Sequence, residues 1–318
     1  DVFGSCYRIL NRGREAIVAG ILRLALLRGL RDVVLFLLGK PDDAAMYSAK
    51  AREIHARYQK EFFHADTGTY ATNSQASNAL ALGLDIAEPA ARESVLAAIV
   101  KDVEARGYAT AGDIGFRYLL RSLADAGRSD VVAKLINQDE KPGYGYQIKQ
   151  GATALPESWN ASRGASHNHF MLGQVIEWFY HDLAGIRPDP TGPGFKKFII
   201  APQPVMETSW VDASYDSIHG KIAVRWERAN PGSPLTLKVT VPANTSATVY
   251  LPAKENASII VPESPEAATI KVPVLKVFDG DCFQTRVPSF ELTGNPSDHP
   301  EIQLVARFGF IDAPEMDQ

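Results

Sequence analysis

The chain has 318 residues, 45% hydrophobic and 22% charged, with a net charge of −4. That is enough apolar material for at least one large core and for about two domains, while the mild negative charge argues against a surface built to hold a polyanion. Two cysteines, Cys6 and Cys282, stand far apart, so cysteine usage implies no disulfide framework and fixes no compartment.

In chain order, Ala16 to Leu38 is apolar but broken by Arg23, Arg28 and Arg31. Those charges argue against a membrane span and predict a buried helix pair. No secretory signal is legible. Asp42 to Phe63 has few breakers and predicts a helix. Glu88 to Ala105 predicts a second, with Val95, Ile99 and Val103 at helical spacing. Asp113 is a capping residue for a helix through Ala126, which Gly127 stops. A further helix is predicted from Asp130 to Gln138. Short helices joined by Gly-, Asp- and Pro-containing turns suit paired helices stacked about a common centre. Ser166 to Leu183 is apolar on nearly every face (Phe170, Met171, Leu172, Val175, Ile176, Trp178, Phe179), which predicts a buried helix.

The pattern then changes. Arg187 to Gly194, RPDPTGPG, reads as a rigid connector. Beyond it the apolar period is two: Ile222, Val224 and Trp226, then Leu235, Leu237, Val239 and Val241, then Val249 and Leu251. This predicts an antiparallel β-sandwich over 187–262 after a helical portion over 1–186. A Pro- and Glu-containing linker over 263–271 leads to a tail over 272–318 with its own strand pattern at Val272 to Phe278.

The segment from Tyr144 to Phe170, YGYQIKQGATALPESWNASRGASHNHF, gathers the residues that sugar chemistry needs. Tyr144, Tyr146 and Trp159 offer aromatic faces for pyranose C–H groups, and Asn168 and His169 offer polar contacts to hydroxyls. Glu157 is a carboxylate that can activate water. Taken singly, Glu157 also reads as a surface carboxylate and His169 as a core histidine. The order of the surrounding motifs decides between these readings.

GATALPESW, then SHNHFMLGQVIEWFYHDLAGI, then PGFKKFIIAPQPV, together with the upstream TGTYATNSQASNALALGL and TAGDIGFRYLLRSLADAG, resemble the α-L-rhamnosidases of glycoside hydrolase family 78. The resemblance runs from about Ala44 to Ala253. It implies an α + β multidomain chain: part of an (α/α)6 helical barrel, then a β-sandwich. It also implies inverting hydrolysis of terminal α-L-rhamnosides with Glu157 as general base and His169 on the sugar, without a cofactor. The implied partner is a rhamnose-containing oligosaccharide or glycoside, and the implied location is periplasmic or extracellular. The carboxylate is expected on the floor of a cavity ringed by Tyr144, Tyr146, Trp159 and His169. This chain has Pro156-Glu157-Ser158-Trp159 where the family often has Trp-Glu-Arg-Trp, and Tyr144 where many relatives have Trp.

The general acid of that family lies in an Asp/Glu-rich segment upstream of these motifs, and Asp1 to Lys40 has no such cluster. Little or no rhamnosidase activity is therefore expected of the chain alone, and a part-barrel would expose apolar helix faces that favour self-association. In the tail, VFDGDCF and ARFGFIDAPEMDQ resemble the opening strands of the thermonuclease family, an incomplete OB-like β segment. That resemblance implies Asp281 and Asp312 as calcium ligands and Arg307 and Glu315 as catalytic-like residues, with Ca²⁺ bound only if that barrel were complete. The alternative readings are thus a calcium-dependent nuclease fragment, although nucleic acid is not the expected partner, and a non-catalytic carbohydrate-binding or structural fragment. Sequons stand at Asn160, Asn244 and Asn256.

Overall fold

The structure is a computed structural model. It describes residues 26–251 except 36, 162, 163, 165, 207, 231, 232 and 234, together with the strand backbone at 276–277, 286–287 and 289–293. The calls on Asp281, Arg307, Asp312 and Glu315 lie outside the described residues. The chain packs as two compact units, Asp1–Ser122 and Leu123–Gln318.

In the first unit, residues 26–35 are helical. Of the predicted buried pair over Ala16 to Leu38, residues 16–25 lie outside the described residues, and the remainder is corrected here: Leu26, Val33, Leu35, Leu37 and Leu38 are exposed, and Val34 is buried. A long helix, Pro41–Phe62, begins with proline at its first turn and acidic Asp42 and Asp43, both favourable at a helix N-terminus. Strands β1 (Phe63–His64) and β2 (Thr69–Tyr70) pair antiparallel. The helix Gln75–Gly83 follows from a capping box. Ser74 accepts from the Ser77 backbone, and Ser77 closes back on Ser74. The Tyr70 N–H donates to Asn78 Oδ1 (2.9 Å) and the Tyr70 hydroxyl to Gln59 Oε1 (2.8 Å). Helix Arg92–Arg106 packs on Gln75–Gly83. Its Val95, Ile99 and Val103 are buried with Ile86, Phe116 and Leu119. Gly107, in the left-handed region at φ 72°, ends it.

The second unit begins within the helix Asp113–Asp125 and continues with Ser129–Asn137 and Tyr144–Lys149. The predicted helix from Ser166 starts instead at Phe170. It runs as a 3-10 turn (Phe170–Gln174), an α turn (Val175–Trp178) and a π turn (Phe179–Leu183). It is not buried all round either, since Phe170 is 83% exposed and Ile176 56%. One face, through Leu172, Trp178 and Leu183, reaches the core.

A relay of polar groups ties this helix to the strands. Trp178 Nε1 donates to Ser129 Oγ (3.0 Å), Ser129 Oγ to Gln203 Oε1, and Gln203 Nε2 to the Ala124 carbonyl (3.0 Å). Trp226 Nε1 donates to the Leu183 carbonyl (2.8 Å). Buried indole N–H groups require such partners, and here they join the last helices and the strands into one unit.

The strands form two larger sheets. One has β5 (Trp210–Ser217), β6 (Gly220–Glu227) and β7 (Thr236–Thr240) in sequence order, all antiparallel. Ile222, Val224, Trp226, Leu237 and Val239 point inward. The other has the order β11-β8-β4-β3, from β3 (Ile186–Pro188), β4 (Lys197–Ile200), β8 (Ser246–Tyr250) and β11 (Ser289–Thr293). The expected all-antiparallel pairing is corrected at β4 and β8, which are parallel, Phe198 opposite Ala247 and Ile200 opposite Val249. The expected connector Arg187–Gly194 is also partly strand, because Ile186 and Arg187 pair with Ile200 and Ile199. In the tail, β9 (Lys276–Val277) pairs with β10 (Arg286–Val287), whereas β11 joins β8.

Gly185 (φ 85°) turns the chain from the π turn into β3, and a Cβ there would collide with the Ala201–Pro202 backbone. Gly185→Ala is expected to destabilise by at least about 2 kcal/mol, since both the left-handed backbone and the close approach oppose a side chain. Urea denaturation checks this. An unchanged midpoint would show that the turn can open.

Candidate active site

The segment singled out in the sequence is held by backbone geometry. Gln138 follows the helix Ser129–Asn137 and organises the next turn. Its Nε2 donates to the Lys141 carbonyl (2.9 Å), and its Oε1 accepts from the Lys141 N–H (2.8 Å). Gly145 lies so close that a Cβ would stand 2.5 Å from the Gln138 carbonyl oxygen. This contact sets the start of the helix that carries Tyr144 and Tyr146. The Tyr144 hydroxyl donates to the Leu172 carbonyl. Burial pushes the Tyr144 phenol well above its ordinary range, so it stays protonated and a donor at any ordinary pH. Its ring meets Trp159 edge-on, centroids 5.2 Å apart at 89°, a favoured aromatic arrangement.

Glu157 and His169 sit on two facing extended segments. The Glu157 N–H donates to the Ser166 carbonyl (2.7 Å), and the His169 N–H donates to the Leu155 carbonyl (2.9 Å). The Ser166 N–H donates in turn to Glu157 Oε2 (3.3 Å). These bonds pair the backbone around Leu155–Glu157 with that around Ser166–His169. Gln147, buried on the helix that carries Tyr144, donates from Nε2 to the Ser158 carbonyl (3.1 Å) and so fixes the backbone between Glu157 and Trp159.

The structure therefore brings Tyr144 and Trp159 together and places Glu157 and His169 on two segments whose backbones pair. Tyr146, Trp159 and His169 are half-buried, and Asn168 is exposed, its N–H donating to Ser166 Oγ (3.3 Å). Glu157 is exposed rather than enclosed. Gln147 and Ser166 were not foreseen. Nothing in a lone Gln or Ser distinguishes a residue that buttresses a loop from one on a surface.

Comparison with known proteins now bears on this geometry. Residues 31–183 match the bacterial alpha-L-rhamnosidase 6 hairpin glycosidase domain, and residues 185–265 match the bacterial alpha-L-rhamnosidase C-terminal domain. The chain belongs to the bacterial α-L-rhamnosidase family. An α-L-rhamnosidase of Streptomyces avermitilis is 32% identical over 226 residues, 68% of this chain and 21% of that protein. One of Formosa agariphila is 30% identical over 234 residues, 70% of this chain and 25% of that protein. The structure of the Streptomyces avermitilis α-L-rhamnosidase complexed with L-rhamnose superimposes with a TM-score of 0.73 at 25% identity, covering 89% of this chain and 26% of that one. The α-L-rhamnosidase of Dictyoglumus thermophilum gives a TM-score of 0.73 at 26% identity, covering 88% and 30%. The chain spans roughly a quarter of the length of these relatives. Among the described residues no helix is long and apolar enough to cross a membrane.

Proposed function

We propose that this rhamnosidase-family chain forms one side of an inverting α-L-rhamnoside site, with Glu157 as the general base. The observation that supports the reading is the backbone pairing of the segments that carry Glu157 and His169, through Glu157 N–H to the Ser166 carbonyl and His169 N–H to the Leu155 carbonyl. A base must be able to take up a water between itself and the anomeric carbon. In inverting hydrolysis the two carboxyl groups stand about 6.5–9.5 Å apart for that reason. An exposed Glu157 is accessible to that water. Trp159, braced by Tyr144, supplies an aromatic face for the sugar, with Tyr146 beside it in sequence, and Asn168 and His169 contact its hydroxyls. The acid that protonates the leaving oxygen is supplied from outside this chain, so the chain alone binds without turning over.

The test is isothermal titration of the purified chain with L-rhamnose, alongside an assay with an aryl α-L-rhamnoside. Saturable binding, weakened about tenfold or more in Trp159→Ala, with no turnover, is the expected result, since a stacked aromatic anchor is worth on the order of 1–2 kcal/mol. Rapid hydrolysis by the chain alone would show that a carboxylic acid within it completes the site. Absence of binding in both proteins would remove the sugar subsite from this segment.

A further inference from the structure

We infer that the groove between the helices at residues 26–35 and Pro41–Phe62 is an anion-binding site for a small ligand bearing a carboxylate, sulfate or phosphate group. It is a feature of the first compact unit and is independent of the rhamnoside reading.

The groove has a volume of about 300 Å³, and its polar lining is Arg28, Arg31, Ser48, Arg52 and His55. That is room for one monosaccharide-sized or smaller molecule. The basic side chains come from both walls at helical spacing, Arg28 and Arg31 from one helix and Arg52, with the His55 imidazole, from the other, so each pair shares a helix face. No carboxylate contributes to the lining. Arg28 is fixed in place by two neutral acceptors, the carbonyls of Leu84 (2.7 Å) and Asp85 (3.2 Å), so its position is set and its charge is not cancelled. Arg31 is balanced by Asp32 at 2.6 Å. Arg52 has no hydrogen-bond or ion-pair partner among the described residues. His55 Nε2 lies 3.0 Å from the Ile86 carbonyl, and its Nδ1 lies 3.8 Å from Glu88. The Ser48 hydroxyl is committed to the Ala44 carbonyl (2.8 Å).

Like charges held across a groove repel, and that cost is relieved when an oxyanion sits between them. Guanidinium groups match the two oxygens of a carboxylate, sulfate or phosphate. A pre-positioned Arg28 opposite an uncommitted Arg52 is therefore a two-point clamp, with little ordering left to pay for at Arg28.

The test is titration calorimetry on the full chain at constant ionic strength set with chloride, using sodium sulfate, sodium D-glucuronate and neutral D-glucose. Saturable binding of sulfate or glucuronate is expected, about tenfold or more weaker in Arg52→Ala, absent in Arg52→Glu and unchanged in Arg57→Ala. Arg52 is exposed, so the variants should fold, and circular dichroism confirms that they do. Tighter glucuronate than sulfate points to a sugar acid as occupant, and equal affinities to a free inorganic oxyanion; either supports the site. Failure of both anions to bind, equal binding of glucose, or wild-type affinity in Arg52→Glu would overturn it.

Discussion

Glutamine at position 157 is expected to lower turnover of an aryl α-L-rhamnoside by about 10²–10⁴-fold, the usual scale of acid–base assistance. The measurement belongs in a protein that joins this chain to the remaining length of a relative, where both carboxyl groups are present. The substitution separates chemistry from structure. Glutamine is isosteric with glutamate, and its Oε1 can still accept from the Ser166 N–H that meets Glu157 Oε2 at 3.3 Å. The backbone bond from Glu157 to the Ser166 carbonyl does not involve the side chain. The facing segments should therefore stay paired, His169 should stay in place, and KM should move little. What disappears is the ability to take a proton from water. Trp159→Ala should do the reverse, raising KM more than it lowers kcat, because it removes sugar contact and the edge-on partner of Tyr144. Near-normal kcat in Glu157→Gln would remove Glu157 as the base. A product released with retained anomeric configuration, read by proton NMR, would remove the inverting reading.

The helices Pro41–Phe62, Arg92–Arg106 and Asp113–Asp125 were legible because their periodicity ends at recognisable stops, Gly127 among them with φ 72°. Helix Gln75–Gly83 was missed because its capping box closes with Ser77 where a Glu or Gln is the usual signature. Strands β6 and β7 announced themselves by alternation. The parallel pairing of β4 with β8 did not, because a strand alternates alike whichever way its neighbour runs. The same divide holds at the site. The sequence contained Glu157, Trp159 and His169 in order, but the pairing of the segments that carry them rests on two backbone hydrogen bonds and on Gln147, and no residue type encodes either. The apolar run before Leu183 misled for a related reason. Helical periodicity assumes one helix geometry, whereas this segment changes from 3-10 to α to π within fourteen residues and turns Phe170 and Ile176 outward.

That π turn carries the second large effect. Asp182→Ala is expected to cost about 3–5 kcal/mol, the range for removing one partner of a buried ion pair, and to lower the melting temperature by roughly 6–20 °C. Asp182 is fully buried, with Oδ1 3.2 Å from Arg187 Nη2 and 3.1 Å from His181 Nδ1. Arg187 also donates from Nε to the His181 carbonyl (2.9 Å), and the Asp182 carbonyl accepts from Gln203 (2.8 Å). One residue thus joins the end of the last helix, β3 and the chain after β4. Without its carboxylate, Arg187, only 14% exposed, keeps a charge that water cannot reach well. The exposed network on β5 and β6 is the control. Arg225 meets Asp212 at 3.0 Å and Glu227 at 2.9 Å, with side chains 41% or more exposed. Asp212→Ala should cost less than about 1 kcal/mol, because solvent screens the pair and competes for it. Distances are nearly the same in the two networks, so solvent exposure and the Glu227 partner that Arg225 keeps set the difference. Equal losses in urea denaturation would refute that account. A double variant, Asp182→Leu with Arg187→Met, should recover much of the stability, because it removes the stranded charge along with its partner.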